Sequence, residues 1–502
     1  MMPHSLNRFN RRCYRIVILC FVSIVGNLAI AEPTKPNIVL VVADDLGYAD
    51  VGCFGGKIAK TPNLDRFAAD GLRLTDCYAG NANCSPSRTA LMTGRTPMRV
   101  GVRSAIPLES PMHVGRNEIT IATLLRQAGY ATCHVGKWHM NGQFNQPTQP
   151  QPNDHGFEHW FSTQNNALPN HRHPNNFVRN GTPVGELEGF AGHLVVDEAI
   201  RWLNGVREPA KPFLLYVCFH EPHEPIATHP KYTQHYPSDD PSYSAYYGNI
   251  AQMDDAFGRL IQSLDEQRLR DNTLVMFTSD NGPAITSQHP HGSASPLRDK
   301  KGSLWEGGIR VPGILRWPGK TKAGSVSDEP ICGVDFLPTV CEITGIEPPS
   351  DRKLDGASFL PVIDGQPIVR TTPLYWHFPR GVGEPKVAMR IGDWKILASF
   401  EPSMNSRSTS IDEQSEREVK TAELNKFFLY NLRRDVSETT ELSAIEPAKF
   451  SEMKSALESK YREVRAETPV WPHWVGQNLE AQLIVWPDYV TKKKKTAKGN
   501  RE

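Results

Sequence analysis

Asn37-Ile-Val-Leu-Val-Val42 runs directly into Ala43-Asp44-Asp45. An apolar run of this length without polar alternation predicts a strand buried on both faces, as in a parallel sheet. Two later runs have the same form. Phe213-Leu-Leu-Tyr-Val-Cys-Phe219 leads into His220-Glu221-Pro222-His223, and Thr273-Leu-Val-Met-Phe277 leads towards Asp280-Asn281-Gly282. Helical stripes lie between them: Ile121, Leu124, Leu125 and Ala128, stopped at Gly129; Val196, Ala199, Ile200 and Leu203; and Ile250, Met253, Phe257, Leu260, Ile261 and Leu264. Strand and helix in alternation predict an α/β fold, a large mixed, mainly parallel sheet with helices on both faces. Ligands of such sheets bind beyond the carboxyl ends of the strands, where this chain carries Asp, His and Asn.

After about residue 365 the texture changes to short segments separated by turns. These are Leu374 to Phe378, Val387 to Ile391, Trp394 to Leu397 and Phe427 to Tyr430, followed by a helical stretch around Ala448 to Val464. They predict a smaller C-terminal domain with an antiparallel sheet and a helix. The expected boundaries are 1–31 for a signal peptide, 32–365 for the α/β domain, 366–475 for the smaller domain and 476–502 for an extension with a basic tail. Glu401 to Lys420 reads as a mobile loop. Residues 140–190, rich in Asn, Pro, His and Gly, read as a long binding loop.

The 502-residue chain is 39% hydrophobic and 22% charged, an ordinary globular composition. Arg8, Arg11, Arg12 and Arg15 precede the apolar run Ile16 to Val25, and Ala29-Ile30-Ala31 offers a small-x-small cleavage site. This reads as a secretory signal, too short for the roughly 20 residues of a membrane span. The expected location is periplasmic or secreted, with no transmembrane segment after signal removal. Losing four arginines takes the net charge from +1 to −3. The run Lys492 to Lys495 is basic, but the body has no basic excess, which argues against a nucleic-acid partner. Cys13 and Cys20 leave with the signal. Among the rest, Cys332 and Cys341 are a candidate disulfide, although spacing does not settle pairing.

The chemistry is concentrated in a few separated places. Cys84-Ser-Pro-Ser-Arg88 is followed by Thr93-Gly-Arg95. Ser85 reads as an N-cap and Pro86 as the first helical position, which puts residue 84 just before a helix N-terminus that favours anions. By itself Cys84 reads first as a buried structural cysteine, and only its partner motifs reverse that reading. Asp44 and Asp45 end one strand, and Asp280 and Asn281 end another. Paired, they offer an all-oxygen site suited to Ca²⁺, with Mg²⁺ second, rather than zinc. Gly136-Lys137-Trp138-His139 follows the apolar segment Ala131 to Val135, with Lys137 and His139 expected on one side of an extended chain. Pro222-His223-Glu224-Pro225 and Lys300-Lys301-Gly302 through Glu306-Gly307-Gly308-Ile309-Arg310 complete the set.

Together these motifs resemble the type I, formylglycine-dependent sulfatases of the alkaline phosphatase superfamily, in the family's order, from about Pro36 to Trp394. The resemblance implies that Cys84 is oxidised to formylglycine by a formylglycine-generating or anaerobic sulfatase-maturating enzyme, and that its hydrate is the nucleophile. It implies one divalent cation held by Asp44, Asp45, Asp280, Asn281 and the modified residue 84, with Arg88 facing that region. Lys137 and Lys301 would hold the sulfate, His139 would bond the nucleophile, and His223, rather than His220, would face the leaving-group oxygen. Lys301 is preferred to Lys300.

Two rivals stand beside this reading. A phosphoesterase of the same superfamily would need a Ser or Thr nucleophile and two zinc ions, with Asp and His ligands where this chain has Lys137 and Lys301. A glycan-binding protein never oxidised at Cys84 is the other. The expected substrate is a sulfated carbohydrate. Candidate specificity residues are His171, Arg172 and His173, in a loop with His155, His159 and Trp160, and Trp376 and His377 closing the pocket from the second domain.

Overall fold

The computed structural model describes residues 35–401 and 410–490. The expected signal peptide, Cys13, Cys20 and the Lys492 to Lys495 run lie outside the described residues. The decisive strand spans Asn37–Ala43 and is buried throughout. Its side chains divide cleanly: Val39, Val41 and Ala43 enter one core, and Ile38, Leu40 and Val42 enter the other. Two-sided burial is why the sequence there shows no alternation.

This strand pairs in parallel with Phe213–Cys218 and with Thr273–Ser279. Ala131–Lys137 extends the parallel region on the far side of Phe213–Cys218. The register sets Ala43 opposite Ser279, Val42 opposite Cys218 and Gly136 opposite Cys218. The carboxyl ends of four strands are therefore level, and the residues just beyond them meet at one place. Gly313–Arg316 is antiparallel to Thr273–Ser279, so the ten-stranded sheet is mixed but mainly parallel at its centre.

Helices cover both faces. Ala191–Gly205 and Pro241–Glu266 belong to the first core, through Val195, Val196, Ala199, Ile250, Met253, Phe257 and Leu260. Cys84–Thr93, Ile121–Gln127 and Phe336–Thr344 belong to the second. The Ile121 helix begins at Thr120, whose side chain accepts from the Thr123 amide, and stops before Gly129 at φ +88°.

A four-stranded antiparallel sheet comes next in the chain: Leu374–His377, Val387–Ile391, Trp394–Glu401 and Glu423–Asn431. The helix Pro447–Glu467 packs on it through Met453, Leu457, Tyr461 and Val464. The opposite face joins the larger sheet in a shared core, in which Trp376 meets Tyr78 and Lys395 reaches Glu306. Among the described residues no helix is long and apolar enough to cross a membrane.

Several expectations are corrected. Within the expected mobile loop, Asp412 caps a helix, Glu413–Thr421, by accepting from the Ser415 amide. His159–Thr163 is not loop but a five-residue strand beside Ala131–Lys137, buried throughout. The Cys332–Cys341 disulfide is overturned, since the seven described cysteines are all free and Cys332 Sγ instead points to the Ala79 carbonyl. The helix of the cysteine motif starts at Cys84 with Asn83 as N-cap, so Ser85 is not the cap. Its Oγ accepts from the Ile106 amide.

Candidate active site

The level strand ends bring the separated motifs together. Asp44 succeeds the Asn37–Ala43 strand, and its amide donates to the Glu221 carbonyl at 3.0 Å. Asp280 succeeds the Thr273–Ser279 strand, and its amide donates to the Ala43 carbonyl at 3.1 Å. Asp45 and His139 take left-handed backbone conformations, φ +68° and +53°. That region is costly for a side-chain-bearing residue and is met where a site over-determines the backbone. At His139 it turns the chain out of the extended path of the preceding strand.

Acids and cations interlock here, buried except for the half-buried Lys301. Lys137 Nζ is 2.6 Å from Asp44 Oδ2, and Lys301 Nζ is 2.6 Å from Asp45 Oδ1. Arg88 donates through Nε and Nη2 to Asp280 Oδ2 at 3.1 and 2.7 Å, and through Nη1 to the Lys137 carbonyl at 3.1 Å. Asn281 Nδ2 donates to Asp45 Oδ1 at 2.7 Å. Each lysine occupies one oxygen of its acid and leaves the other without a hydrogen-bond partner. Asp44 Oδ1, Asp45 Oδ2 and Asn281 Oδ1 are all buried and unpartnered. An orphaned buried acceptor costs about 1–3 kcal/mol, and three in one place fit a cation. Ligand atoms of Asp44, Asp45, Cys84 and His223 lie within 4.8 Å of one another. The three orphaned donors, all oxygens, suit Ca²⁺ or Mg²⁺.

The local field has two signs. Burial raises the Asp44 carboxyl, but the charges of Lys137, His223, Arg88 and Lys301 outweigh it and hold Asp44 well below the usual carboxylate range. Burial and repulsion from Asp44 push Asp280 up to about 7, against the pull of Arg88 and Lys137. Burial opposes the charge on Lys137 and Lys301, yet the surrounding acids keep both protonated.

Cys84 lies at the first position of its helix, 2% exposed, with Lys301 Nζ 3.5 Å from its sulfur. Burial pushes its thiol up to about 12, although Lys137 and Lys301 pull the other way. A thiol held protonated is a poor nucleophile.

Two histidines flank the cluster. His139 Nε2 pairs with the Ile106 carbonyl at 3.1 Å, and its Nδ1 is buried without a partner. Burial, then Lys137 and Arg88, hold this imidazole well below its usual range, so it is a neutral acceptor. His223 donates from Nδ1 to the Glu224 carbonyl, which turns Nε2 to within 3.7 Å of Asp45 Oδ2. His220 is fully buried behind the site, with Nε2 2.8 Å from Thr163 Oγ1 and its ring against His171 and Phe177. Lys300 turns away to the Ile285 carbonyl. His223 and Lys301, not their neighbours, reach the cluster.

The expected specificity residues scatter. His171 is fully buried, stacked edge-on to His220. Arg172 is exposed, over Phe190, with Nε 3.0 Å from His173 Nε2. His159 is buried in an ion cluster with Glu198, 2.8 Å away, and His155 and Trp160 are buried too. Trp376 and His377 do not close a pocket. Trp376 is 0% exposed and donates to the Ala79 carbonyl, while His377 sits among Tyr375, Phe400 and Tyr461. They fill the cores on the two faces of the second sheet.

Sequence reasoning missed the support of His223. Glu224 Oε1 accepts from Thr286 and from His289 Nδ1, and His289 Nε2 meets the Tyr489 hydroxyl at 2.8 Å. Glu224 adjoins His223 in sequence and so was findable. Nothing local marked Tyr489.

Residues 36–346 match the family model described as Sulfatase, and residues 297–401 match that described as N-sulphoglucosamine sulphohydrolase, C-terminal. The chain is similar to the N-acetylgalactosamine-6-sulfatase of Canis lupus familiaris, 33% identical over 75% of this chain and 74% of the relative. It is similar to the arylsulfatase of Hemicentrotus pulcherrimus, 33% identical over 73% of this chain and 68% of the relative. Among solved structures it is similar to Ps i-CgsB in complex with k-i-k-neocarrahexaose, at 28% identity and TM-score 0.75, over 91% of this chain and 99% of that one.

Proposed function

Since the chain belongs to the sulfatase family of the alkaline phosphatase superfamily and is a sulfuric ester hydrolase, we propose that it is an exported enzyme acting on sulfated glycans through a formylglycine made from Cys84, with one divalent cation. The observation that carries this reading is the position of Cys84. It is a buried, protonated thiol in the same 4.8 Å cluster as Asp44, Asp45 and His223, beside Lys301. Formylglycine hydrate would supply two hydroxyls at that point. A calcium ion held by Asp44, Asp45, Asp280, Asn281 and residue 84 would supply Lewis-acid charge stabilisation.

The protein's own groups divide the remaining work. Lys137 and Lys301 hold the sulfate and offset the repulsion between an anionic ester and its attacking group. Arg88 keeps Asp280 in place and adds positive charge behind it. One hydroxyl gives up its proton to the Asp280 carboxylate and forms the new bond to sulfur as the bond from sulfur to the sugar oxygen breaks. His223 gives that oxygen its proton from Nε2, its Nδ1–H being fixed on the Glu224 carbonyl. His139 Nδ1, the unpartnered acceptor, takes the proton of the second hydroxyl. The bond between carbon and the sulfate oxygen then breaks, the aldehyde returns and sulfate leaves.

Substrate class is supported by the relatives. Those at about a third identity act, by their names, on N-acetylgalactosamine 6-sulfate or aryl sulfates, and a structural neighbour is in complex with k-i-k-neocarrahexaose. Export rests on the basic, apolar and small-x-small order of residues 1–31. The maturating enzyme is the required partner. The test is release of sulfate from an aryl sulfate and from sulfated oligosaccharides by protein co-expressed with a formylglycine-generating enzyme. Release above that of a Cys84→Ala control supports the reading. No release from matured protein supplied with Ca²⁺ contradicts it.

A further inference from the structure

His223 faces the oxygen that leaves with the sugar, so the glycan must extend past His223. The chain beyond it, Glu224-Pro225-Ile226-Ala227-Thr228, runs straight into the wall of a cleft of about 590 Å³. That is within the usual range of small-molecule sites, about 300–1,000 Å³. Ile226 to Thr228 form one side, Asn170, Arg172 and Phe190 another, and Val485 to Pro487 with Tyr489 a third.

The third side is a C-terminal segment tied to the α/β part at several points. Asn165 and Asn166 donate to the Glu480 carboxylate at 2.7 and 3.0 Å. The Val485 amide donates to the Pro169 carbonyl at 2.8 Å, and Asn170 Nδ2 to the Val485 carbonyl at 2.8 Å. Tyr489 reaches His289, which holds Glu224 beside His223. The same segment therefore walls the cleft and braces the loop of the proposed general acid.

Among the described residues Arg172 is the only charged side chain lining the cleft, and no carboxylate pairs with it. It is exposed, and its guanidinium lies 6.0 Å from the Phe190 ring centroid. A planar guanidinium prepared in this way favours oxyanions that present two oxygens to its fork, such as sulfate and carboxylate. Phe190 and Trp486 bring aromatic rings, of the kind that pyranose rings pack against, to the lining of the cleft.

Resting on the proposed function, we propose that this cleft is a second glycan subsite, which takes an anionic sugar unit neighbouring the one whose sulfate is cleaved, with Arg172 binding its sulfate or carboxylate. The enzyme then prefers oligosaccharides with repeated anions to isolated sulfated monosaccharides.

The test is calorimetric titration of full-length Cys84→Ser protein, which leaves the cleft intact, with two probes. One is a chondroitin 6-sulfate hexasaccharide, carrying carboxylates and sulfates, and the other an ι-carrageenan hexasaccharide, carrying sulfates alone. Adding Arg172→Ala should weaken at least one probe tenfold or more, and Arg172→Lys should recover part of the loss. Which probe responds identifies the anion. Affinity within twofold of the parent for both probes, or no binding of either by the parent, overturns the subsite. Turnover of 4-methylumbelliferyl sulfate by the matured wild-type protein is measured alongside. Its absence would count against the proposed function, while the titration still decides the cleft.

Discussion

The Lys301 ammonium lies 3.5 Å from the Cys84 sulfur, although the two residues are 217 apart in sequence. It also lies 2.6 Å from Asp45 Oδ1, so one lysine touches both Asp45 and Cys84. This contact links the end of the first strand, the cysteine helix and the Lys301-Gly302 turn into one site.

Replacing Lys301 by Ala should lower kcat/KM for an aryl sulfate by about 10²–10³-fold, the range for removing one group that stabilises transition-state charge. Melting should change little, because the ammonium is partly accessible, its side chain 17% exposed. Steady-state kinetics checks this, and a loss under threefold would remove Lys301 from the sulfate site.

Calcium should stabilise the fold as well as support turnover. Asp44, Asp45 and Asp280 crowd three carboxyls into one buried region with orphaned oxygens. An ion that binds only the native state adds about 2.7 kcal/mol at a hundred times its Kd. Chelation should therefore lower the melting temperature by several degrees and abolish sulfate release, with both restored by Ca²⁺. An unchanged melting temperature across a Ca²⁺ titration would contradict the assignment.

Lys395 is a structural counterpart on the second sheet. Its ammonium lies 2.8 Å from Glu306 Oε1 and 2.9 Å from Glu438 Oε1, all fully buried. Burial raises both acids, but Lys395, Arg310 and Arg390 carry Glu306 down to about 2, whereas Glu438 stays pushed up to about 7. Lys395→Met leaves Glu306 without its nearest cation, and breaking such a buried pair costs about 3–5 kcal/mol. Urea unfolding should show that loss. A shift below about 1 kcal/mol, the size of an exposed ion pair, would mean the pair is not essential to joining the sheets.

Acid should destabilise the protein well above the carboxylate range. Burial carries His134 down to about 3, His155 to about 4 and His377 to about 3. These folded values lie below the unfolded value, so the native state binds fewer protons. The stability from keeping these rings neutral is complete above about pH 6.5 and is lost as pH falls towards 3 to 4. At pH 5 each contributes a loss on the order of 2 kcal/mol. His377→Phe, which suits the surrounding Tyr375, Phe400 and Tyr461, should flatten the slope of unfolding free energy between pH 7 and 5. An unchanged slope would show that His377 is not neutral in the folded state.

The sheet centre was legible because Asn37–Ala43, Phe213–Cys218 and Thr273–Ser279 are buried on both faces, and two-sided burial leaves an unbroken apolar run. The cluster residues were legible because each sits in a short motif at a strand end or turn. His159–Thr163 was not, because its apolar signal is only the pair Trp160 and Phe161, flanked by His, Ser and Thr, too short to stand out from the polar stretch around it. Trp376 and His377 misled because aromatic and imidazole groups suit either a sugar or a core, and only the second sheet's packing against the first decides. The Arg172 cleft needs residues near 170, 190, 226 and 486 together, a closure that no local pattern encodes.

The whole mechanism rests on Cys84 becoming the nucleophile by oxidation. Mass analysis of the peptide containing Cys84, from protein co-expressed with a formylglycine-generating enzyme, is the decisive measurement. Conversion of the thiol to the aldehyde predicts a loss of about 18 Da at that residue, absent from the Cys84→Ala control. A peptide that keeps its full thiol mass despite active maturation machinery would refute the mechanism, which takes its nucleophile from the aldehyde hydrate.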